Sequence, residues 1–445
     1  MNILQEHYVN FPYTIKRILF NAEAFRRDYY RKFGEYDKIY DSINFNEIMS
    51  TFSSHKRTEL LESLVDYIQK HVAFYRELPR VTSLGELPFI TKSIYIENQK
   101  KLIADGVNIK HCWEGRTSGS TGMPLTYLCH RDMVRINKVY QEKFFDFIGV
   151  CRGDRMARIS GIKIAAYNRR KPPYWVYIDK YRQLQLSAYH IWPDTMAYYI
   201  NAMKNHKVVY GSGYASAWLF LAEYLSLLGE KPPMLKAIVT DSEGVTLGQQ
   251  KIIEDAFQCP VYQTYGLGEV GQIAVQCSEG HYHIIPTLCY AEIVDDGNNI
   301  LPYGERGEIV LTNLVSFNTP FVRYRTGDVG ILEEGACGCG WNTQYFTLID
   351  GRTDDYIIGN DGRKIGRLSH VIKPATGVLE SQIIQEKKGA IRLLVVPGKN
   401  FNATSMDAVL ANAKNYLGDM EIKLEVVDTL EKTERAKIRR VIRKI

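Results

Sequence analysis

The chain has no long apolar run. Nothing in it approaches the 18 consecutive apolar residues of a membrane-crossing helix, so no membrane span is expected. It also lacks a basic-then-apolar leader. The first residues read Met1-Asn2-Ile3-Leu4-Gln5-Glu6-His7, which is not the pattern of a secretory signal, and the expected location is cytoplasmic. In that compartment the eight cysteines stay reduced, and cysteines that cluster are read as metal ligands before disulfides. A strong charge imbalance is missing too. Lysine and arginine number 56 against 50 acids, a net charge of +6, which is too mild to argue for nucleic acid. The exception is local: residues 432–445 hold seven basic side chains and one acid. That run is read as a solvated helix with one lysine kept for chemistry. A nucleic-acid binder built on it is a rival, and its affinity would fall steeply with salt. Internal repeats and low-complexity segments are absent as well.

What is present is an ordinary globular balance, 45% hydrophobic and 24% charged, in a chain too long for one compact domain of usual size. Residues 1–100 read as mainly helical. Between positions 50 and 72, Leu60, Leu61, Leu64, Val65 and Ile68 keep the three-and-four spacing of one helix face. Residues 101–350 alternate helix-like stretches with β-rich runs, among them Lys207-Val208-Val209-Tyr210, Ala237-Ile238-Val239-Thr240 and Pro260-Val261-Tyr262. The first two contain the continuous apolar runs of buried parallel strands, and the alternation implies a layered α/β fold. Residues 308–312 and 321–324 look like strands of a later, partly antiparallel region. Near residue 350 the pattern resets. Residues 351–445 read as a small α+β unit, with strands near 382–385, 391–396 and 421–427 and a helix near 405–417; Gly351 marks the junction, where a hinge would be useful. Tyrosine is in surplus at 30 residues, and the tyrosine-rich segments 167–181 and 189–214 are read as aromatic core ahead of a pocket lining.

The densest local signal is Arg116-Thr117-Ser118-Gly119-Ser120-Thr121-Gly122-Met123-Pro124. Glycine permits positive φ and lets backbone N–H groups approach an anion. Successive N–H groups form an anion nest, and hydroxyls add donors at its rim. The reading is a phosphate-binding loop, with an ordinary Ser/Gly turn as the alternative. It is not a Walker A loop, which ends in Gly-Lys-Ser/Thr.

With four downstream clusters this loop resembles the adenylate-forming superfamily: acyl-coenzyme A synthetases, peptide-synthetase adenylation domains and luciferases. Tyr265-Gly266-Leu267-Gly268-Glu269 resembles its Tyr-Gly-x-x-Glu motif, and Tyr324-Arg325-Thr326-Gly327-Asp328 matches its Tyr-Arg-Thr-Gly-Asp motif unchanged. Gly351-Arg352-Thr353-Asp354-Asp355 matches its hinge motif and Thr433-Glu434-Arg435-Ala436-Lys437 resembles its C-terminal lysine motif. All five come in family order over about 320 residues. The closer resemblance is to the phenylacetate–coenzyme A ligase branch and its capsular-polysaccharide (CapK-like) members. It rests on His71-Val72-Ala73-Phe74-Tyr75-Arg76, Leu87-Pro88-Phe89-Ile90-Thr91-Lys92, Leu186-Ser187-Ala188-Tyr189-His190-Ile191, Gly213-Tyr214-Ala215-Ser216 and Asp361-Gly362-Arg363-Lys364-Ile365.

The resemblance implies a large layered α/β N-terminal domain of the acyl-adenylating type and a small, mobile α+β C-terminal domain. It implies that Thr117, Ser118, Gly119, Ser120, Thr121 and Gly122 hold the triphosphate of ATP and that Glu269 holds Mg²⁺. Mg²⁺ is a hard cation suited to one or two carboxylates plus phosphate. Ser242, Glu243, Tyr265 and Gly266 would hold adenine. Asp328 would accept from the ribose hydroxyls, as an acceptor-only carboxylate can, and Arg352 would reach ribose or phosphate. Lys437 would bridge the acid and the α-phosphate, and Asp354 would be the pivot. His190, Tyr214 and Gly266 would line the acid site, with a satisfied buried histidine as the other reading of His190. Two departures stand out: Leu125 replaces a lysine common after the loop proline, and Ala436 replaces the usual glycine.

A second constellation is independent of nucleotide. Cys337 and Cys339 lie among glycines, and Cys277 lies upstream of His281 and His283. Four thiolate and imidazole ligands suit a closed, structural zinc site. His281 and His283 share one strand face, so spacing does not choose between them; the resemblance favours His283.

The resulting expectation is an AMP-forming enzyme that turns a carboxylic acid and MgATP into an acyl-adenylate. Coenzyme A is the default acyl acceptor, and an amine or hydroxyl of a sugar in surface-polysaccharide assembly is the alternative. A non-catalytic nucleotide-binding scaffold is the reading from another class. The acid and the oligomeric state are not set by the sequence, which is compatible with a homodimer.

Overall fold

The computed structural model describes residues 8–32, 35–116, 125–166, 169–191, 194–352, 357–360, 362, 364–365, 368, 378–398, 401–431 and 439–445. The chain forms two compact units. One comprises Met1–Phe25, Gly153–Val261 and Thr353–Ile445; the other comprises Arg26–Arg152 and Tyr262–Arg352. No helix among the described residues is long and apolar enough to cross a membrane.

The first unit contains a sheet in the order Ile238–Asp241, Tyr210–Tyr214, Met156–Ser160, Gln183–Ser187, Trp175–Ile178, parallel except for the last strand. Its core runs from Ile159 and Leu186 through Tyr199 and Met203 to Trp218 and Phe257. The strand expected at 207–210 begins instead at Tyr210 and runs through a glycine-rich stretch. Close packing explains the choice. A Cβ on Gly211 would sit 2.5 Å from the Trp218 ring, and one on Gly213, at φ +115°, would sit 1.9 Å from the Ile159 carbonyl oxygen. Only glycine lets this strand lie there.

The same unit carries a small sheet in the order Glu421–Val426, Ala390–Pro397, Val378–Lys387, Val441–Arg443. Helix Ala403–Leu417, capped by Asn402, lays Val409, Ala413 and Leu417 on Ile383, Leu393 and Val395. The expected strands and helix of this α+β unit are therefore present. The helix expected over 432–445 is not found in its described part, 439–445: Val441–Arg443 is a strand, parallel to Ile383, Ile384 and Gln385. Its Val-Ile pair is β-branched, and the open edge of Val378–Lys387 supplies backbone partners that a solvated helix would not use.

The second unit begins with helices, among them Ser54–His71, whose Leu64, Val65 and Ile68 are buried as their spacing predicts. It ends in an antiparallel sheet ordered Cys289–Val294, Arg306–Asn313, Tyr324–Ala336, Asn342–Arg352, Tyr282–Ile284, Gly271–Gln276, Val261–Leu267. Arg323 ties the helical part to this sheet. It is 4% exposed and forks onto Glu292 at 3.0 and 3.1 Å. Its remaining terminal nitrogen donates to the carbonyls of Gly85 and Leu87, and the guanidinium lies 3.9 Å from the Phe89 ring centroid. Burial raises the Glu292 pKa and Arg323 opposes the rise. Arg323→Met would leave that carboxylate buried without a counter-charge. The expected loss is about 3–5 kcal/mol, read as a lower urea midpoint at unchanged slope.

Candidate nucleotide site and metal centre

In the second unit two of the sequence motifs meet. Strand Val261–Leu267 turns back into Gly271–Gln276, with Glu269 in the turn. The turn requires its glycines: a Cβ on Gly268 would lie 2.2 Å from the Tyr127 hydroxyl, and one on Gly271, at φ +99°, 2.5 Å from Asn137 Oδ1. Tyr265 Oη donates to Asp328 Oδ2 at 2.7 Å, and Tyr324 Oη donates to Glu269 Oε1 at 3.2 Å. Each motif's tyrosine thus grips the other motif's carboxylate. Both acids are largely buried. Burial first, and then the Asp328 charge, raise the Tyr265 phenol well above its ordinary range, so it remains a donor.

The rest of Tyr324-Arg325-Thr326-Gly327-Asp328 fixes the second acid. Thr326 Oγ1 donates to the Ile309 carbonyl and accepts from Asp328 N. Arg325 Nε binds Glu308, and Gly327, at φ +76°, donates its N–H to the same carboxylate. Asp328 stands opposite Arg352 in the strand pairing; the Arg352 side chain lies outside the described residues, as do Thr117, Ser118, Gly119, Ser120, Thr121, Gly122, Asp354 and Lys437.

In the first unit, strand Ile238–Asp241 ends in the segment expected to hold adenine. Asp241 is held by Arg158 at 2.8 Å, and the same nitrogen donates to Ser212. Ser242 takes φ +68° and Glu243 turns back, accepting from Ser216 N at 3.2 Å and Ser216 Oγ at 2.6 Å. Ser216 lies in the first turn of helix Ala215–Leu228, so Glu243 satisfies an otherwise open helix N–H. Arg440 Nη2 donates to the Gly244 carbonyl at 2.9 Å, three residues beyond Lys437 in sequence. Tyr214 is buried at the end of its strand. His190 is fully buried: Nδ1 pairs with Ser187 Oγ at 2.8 Å, Nε2 with the Ala166 carbonyl at 2.9 Å, and the ring stacks on Tyr174. Burial lowers its pKa.

The metal set also converges. The ligand atoms of Cys277, His283, Cys337 and Cys339 all lie within 4.8 Å of one another. Cys277 and Cys337 sulfurs are 4.0 Å apart, and His283 Nε2 is 3.5 Å from Cys339 Sγ. A tetrahedral ion with metal–sulfur bonds of about 2.3 Å sets its ligands roughly 3.7 Å apart, so the set fits zinc. His283 Nδ1 is paired with Thr343 Oγ1 at 3.0 Å, which leaves Nε2 for a metal. His281 Nδ1 lies 3.4 Å from Cys337 Sγ but is not part of the converging set. Burial pulls His283 down to about 4 and pushes Cys339 up to about 12.

Two like turns present the thiols. Cys277 N–H donates to the His281 carbonyl and Gly280 N–H to the Cys277 carbonyl. Cys337 pairs with Trp341 and Gly340 in the same way. Gly280 and Gly340 take φ +80° and +90°. The repeated Cys-x-x-Gly pattern was available in the sequence and names both turns. The Arg158–Asp241 and Ser216–Glu243 pairs and the crossed tyrosines had no such signal, because the partners are 27 to 83 residues apart.

These features sit in the fold of an adenylate-forming ligase. The solved structure of 2-hydroxyisobutyryl-CoA ligase, in the postadenylation state with R3-HIB-AMP, covers 90% of this chain and 92% of its own at a TM-score of 0.70 and 19% identity. Residues 357–444 match the CapK C-terminal domain. Protein CapK of Staphylococcus aureus is 24% identical over 406 residues, 87% of this chain and 85% of that protein. Phenylacetate-coenzyme A ligase of Thermus thermophilus is 32% identical over 145 residues, 31% of this chain and 33% of that protein. The chain is thus similar to protein CapK over most of its length and to the phenylacetate–coenzyme A ligases over about a third of it, and it has the fold of the acyl-CoA ligases.

Proposed function

We propose that this protein is an AMP-forming ligase: it joins a carboxylic acid to AMP, releases pyrophosphate, and passes the acyl group to coenzyme A or to a sugar amine or hydroxyl. The observation that carries this reading is the crossed pair Tyr265–Asp328 and Tyr324–Glu269, which holds two nucleotide-motif acids largely buried, each on the other motif's tyrosine.

The acid's carboxylate oxygen attacks the α-phosphorus and the bond to pyrophosphate breaks. Such chemistry needs orientation and charge neutralisation more than covalent help. Glu269 would hold Mg²⁺, which neutralises phosphate charge when bound. Asp328 orients the ribose, and the Asp241–Gly244 segment, braced by Arg158 and Ser216, receives adenine. Lys437 brings a flexible cation to the reacting oxygens, and residues 351–445 rotate about Asp354 between the two half-reactions. The zinc set has four protein ligands and leaves no open position, so its role is structural. The 87% span of the CapK likeness makes the sugar acceptor the second one to test.

A pyrophosphate-release screen over aryl, fatty and amino acids, with and without coenzyme A, tests the activity. Nucleotide binding with no pyrophosphate from any acid would favour the scaffold reading. Asp328→Ala is expected to raise the KM for ATP by about tenfold or more, as loss of hydrogen bonds from a charged group costs roughly 1.5–3 kcal/mol. Tyr265→Phe, which removes one hydrogen bond to Asp328, should give a smaller change in the same constant. Unchanged KM in both variants removes Asp328 from the ribose site.

A further inference from the structure

Gln382 lies in strand Val378–Lys387 and is fully buried. A buried side-chain amide needs partners, and this one spends its nitrogen in an unusual way. Nε2 donates to the Arg439 carbonyl at 2.8 Å and also faces the Glu431 carbonyl at 3.4 Å. Those residues flank 432–438, the stretch that carries Lys437. One side-chain nitrogen therefore ties the chain on both sides of the lysine. Both sides are held further: Ile383 N–H donates to the Arg440 carbonyl at 2.8 Å, and Leu430 packs with Ile384, Leu394 and Val396. Packing alone does not call for a glutamine here: among the described residues its buried Oε1 has no partner, so an apolar side chain of similar length would fit the core at lower desolvation cost.

We infer that Gln382 is a positioning residue for adenylation: it fixes the two ends of the Lys437 segment, and so the reach of the Lys437 ammonium toward the carboxylate and α-phosphate. The inference rests on the proposed role of Lys437. It adds a residue that touches no substrate and acts through that lysine. Misplacing a reacting group by about 1 Å can cost on the order of 100-fold, so a tether of this kind has kinetic weight.

The test uses Gln382→Leu and Gln382→Met in the full-length protein, each alone and combined with Lys437→Ala. Single-turnover adenylation should slow by about tenfold to 100-fold in either glutamine variant, while acyl transfer from pre-formed adenylate stays within about twofold of wild type. In the Lys437→Ala background the same replacements should cost nothing further, the signature of two residues acting as one unit. Trypsin cleavage mapped to Lys432, Arg435 and Lys437 should accelerate in the glutamine variants at an unchanged melting temperature. Equal loss in both half-reactions, or full additivity with Lys437→Ala, overturns the inference and leaves Gln382 a core residue. Unchanged cleavage overturns the tether itself. If Lys437→Ala alone leaves adenylation intact, the role of Lys437 fails separately, and the cleavage rates still decide whether Gln382 holds the segment.

Discussion

Lys437→Ala is expected to slow acyl-adenylate formation by about 100- to 1,000-fold, the range seen when one preorganised donor to a developing charge is removed. Given pre-formed acyl-adenylate, the same variant should transfer the acyl group at near the wild-type rate. AMP also leaves with new charge on its phosphate in the transfer step, so the asymmetry rests on the proposed rotation: Lys437 would stand at the reacting oxygens during adenylation and be carried away before transfer, and its stabilisation is realised in the first transition state alone. The Arg440 contact with Gly244 supports the assignment, since it sets Arg440 against the segment proposed to receive adenine. Asp354→Pro should do the reverse, with adenylation largely kept and transfer slowed, because a fixed backbone angle at the pivot blocks rotation. Rapid-quench measurement of each half-reaction checks both variants. Equal impairment of both steps in both variants sinks the two-conformation mechanism.

The second large effect concerns metal. Elemental analysis should find about one zinc per chain, and Cys337→Ser should remove it. Metal binding at a closed site is linked to folding and is worth about 10 kcal/mol or more, and for a chain of 445 residues 1 kcal/mol moves the midpoint by roughly 1 °C. A fall of about 10 °C in Tm is therefore expected for Cys337→Ser, and for the wild-type protein stripped by a chelator. The chelator should do nothing to the variant. Protein purified without zinc that melts at the usual temperature removes the assignment. His281→Ala should retain the metal and His283→Ala should lose it, since only His283 Nε2 joins the converging set.

The fold was legible where local pattern and burial agree. The helix over Ser54–His71 shows itself by spacing because it buries one face, and strand Ala390–Pro397 by a near-continuous apolar run because it buries both. Strand Tyr210–Tyr214 did not, because its glycines are dictated by Trp218 and Ile159 across the layer, and those contacts leave no propensity signal. The C-terminal strand failed for a related reason: what makes Val441–Arg443 a strand is the free edge of Val378–Lys387, some 58 residues away in sequence. At the site, residue types in family order pointed to Glu269 and Asp328. The tyrosine cross-bonding that holds them is geometry alone. Arg323 lies directly beside a recognised motif, yet nothing in the sequence names Glu292, Gly85 and Leu87 as its partners.

The two cysteine turns have a consequence for the unfolded chain. Cys277 and Cys337 are 60 residues apart, and between them run strands Cys289–Val294, Arg306–Asn313 and most of Tyr324–Ala336, with Asp328 on the last. A metal held by both turns in the unfolded chain would close this stretch into a ring. A ring of that length has far fewer open conformations than a free segment; by chain-entropy reasoning the difference is worth roughly 4 kcal/mol, in a model treating the metal as a covalent link. Asp328, the acid proposed to bind ribose, would then fold from a pre-closed loop, and the search for its strand partners would be shortest where the ion binds first.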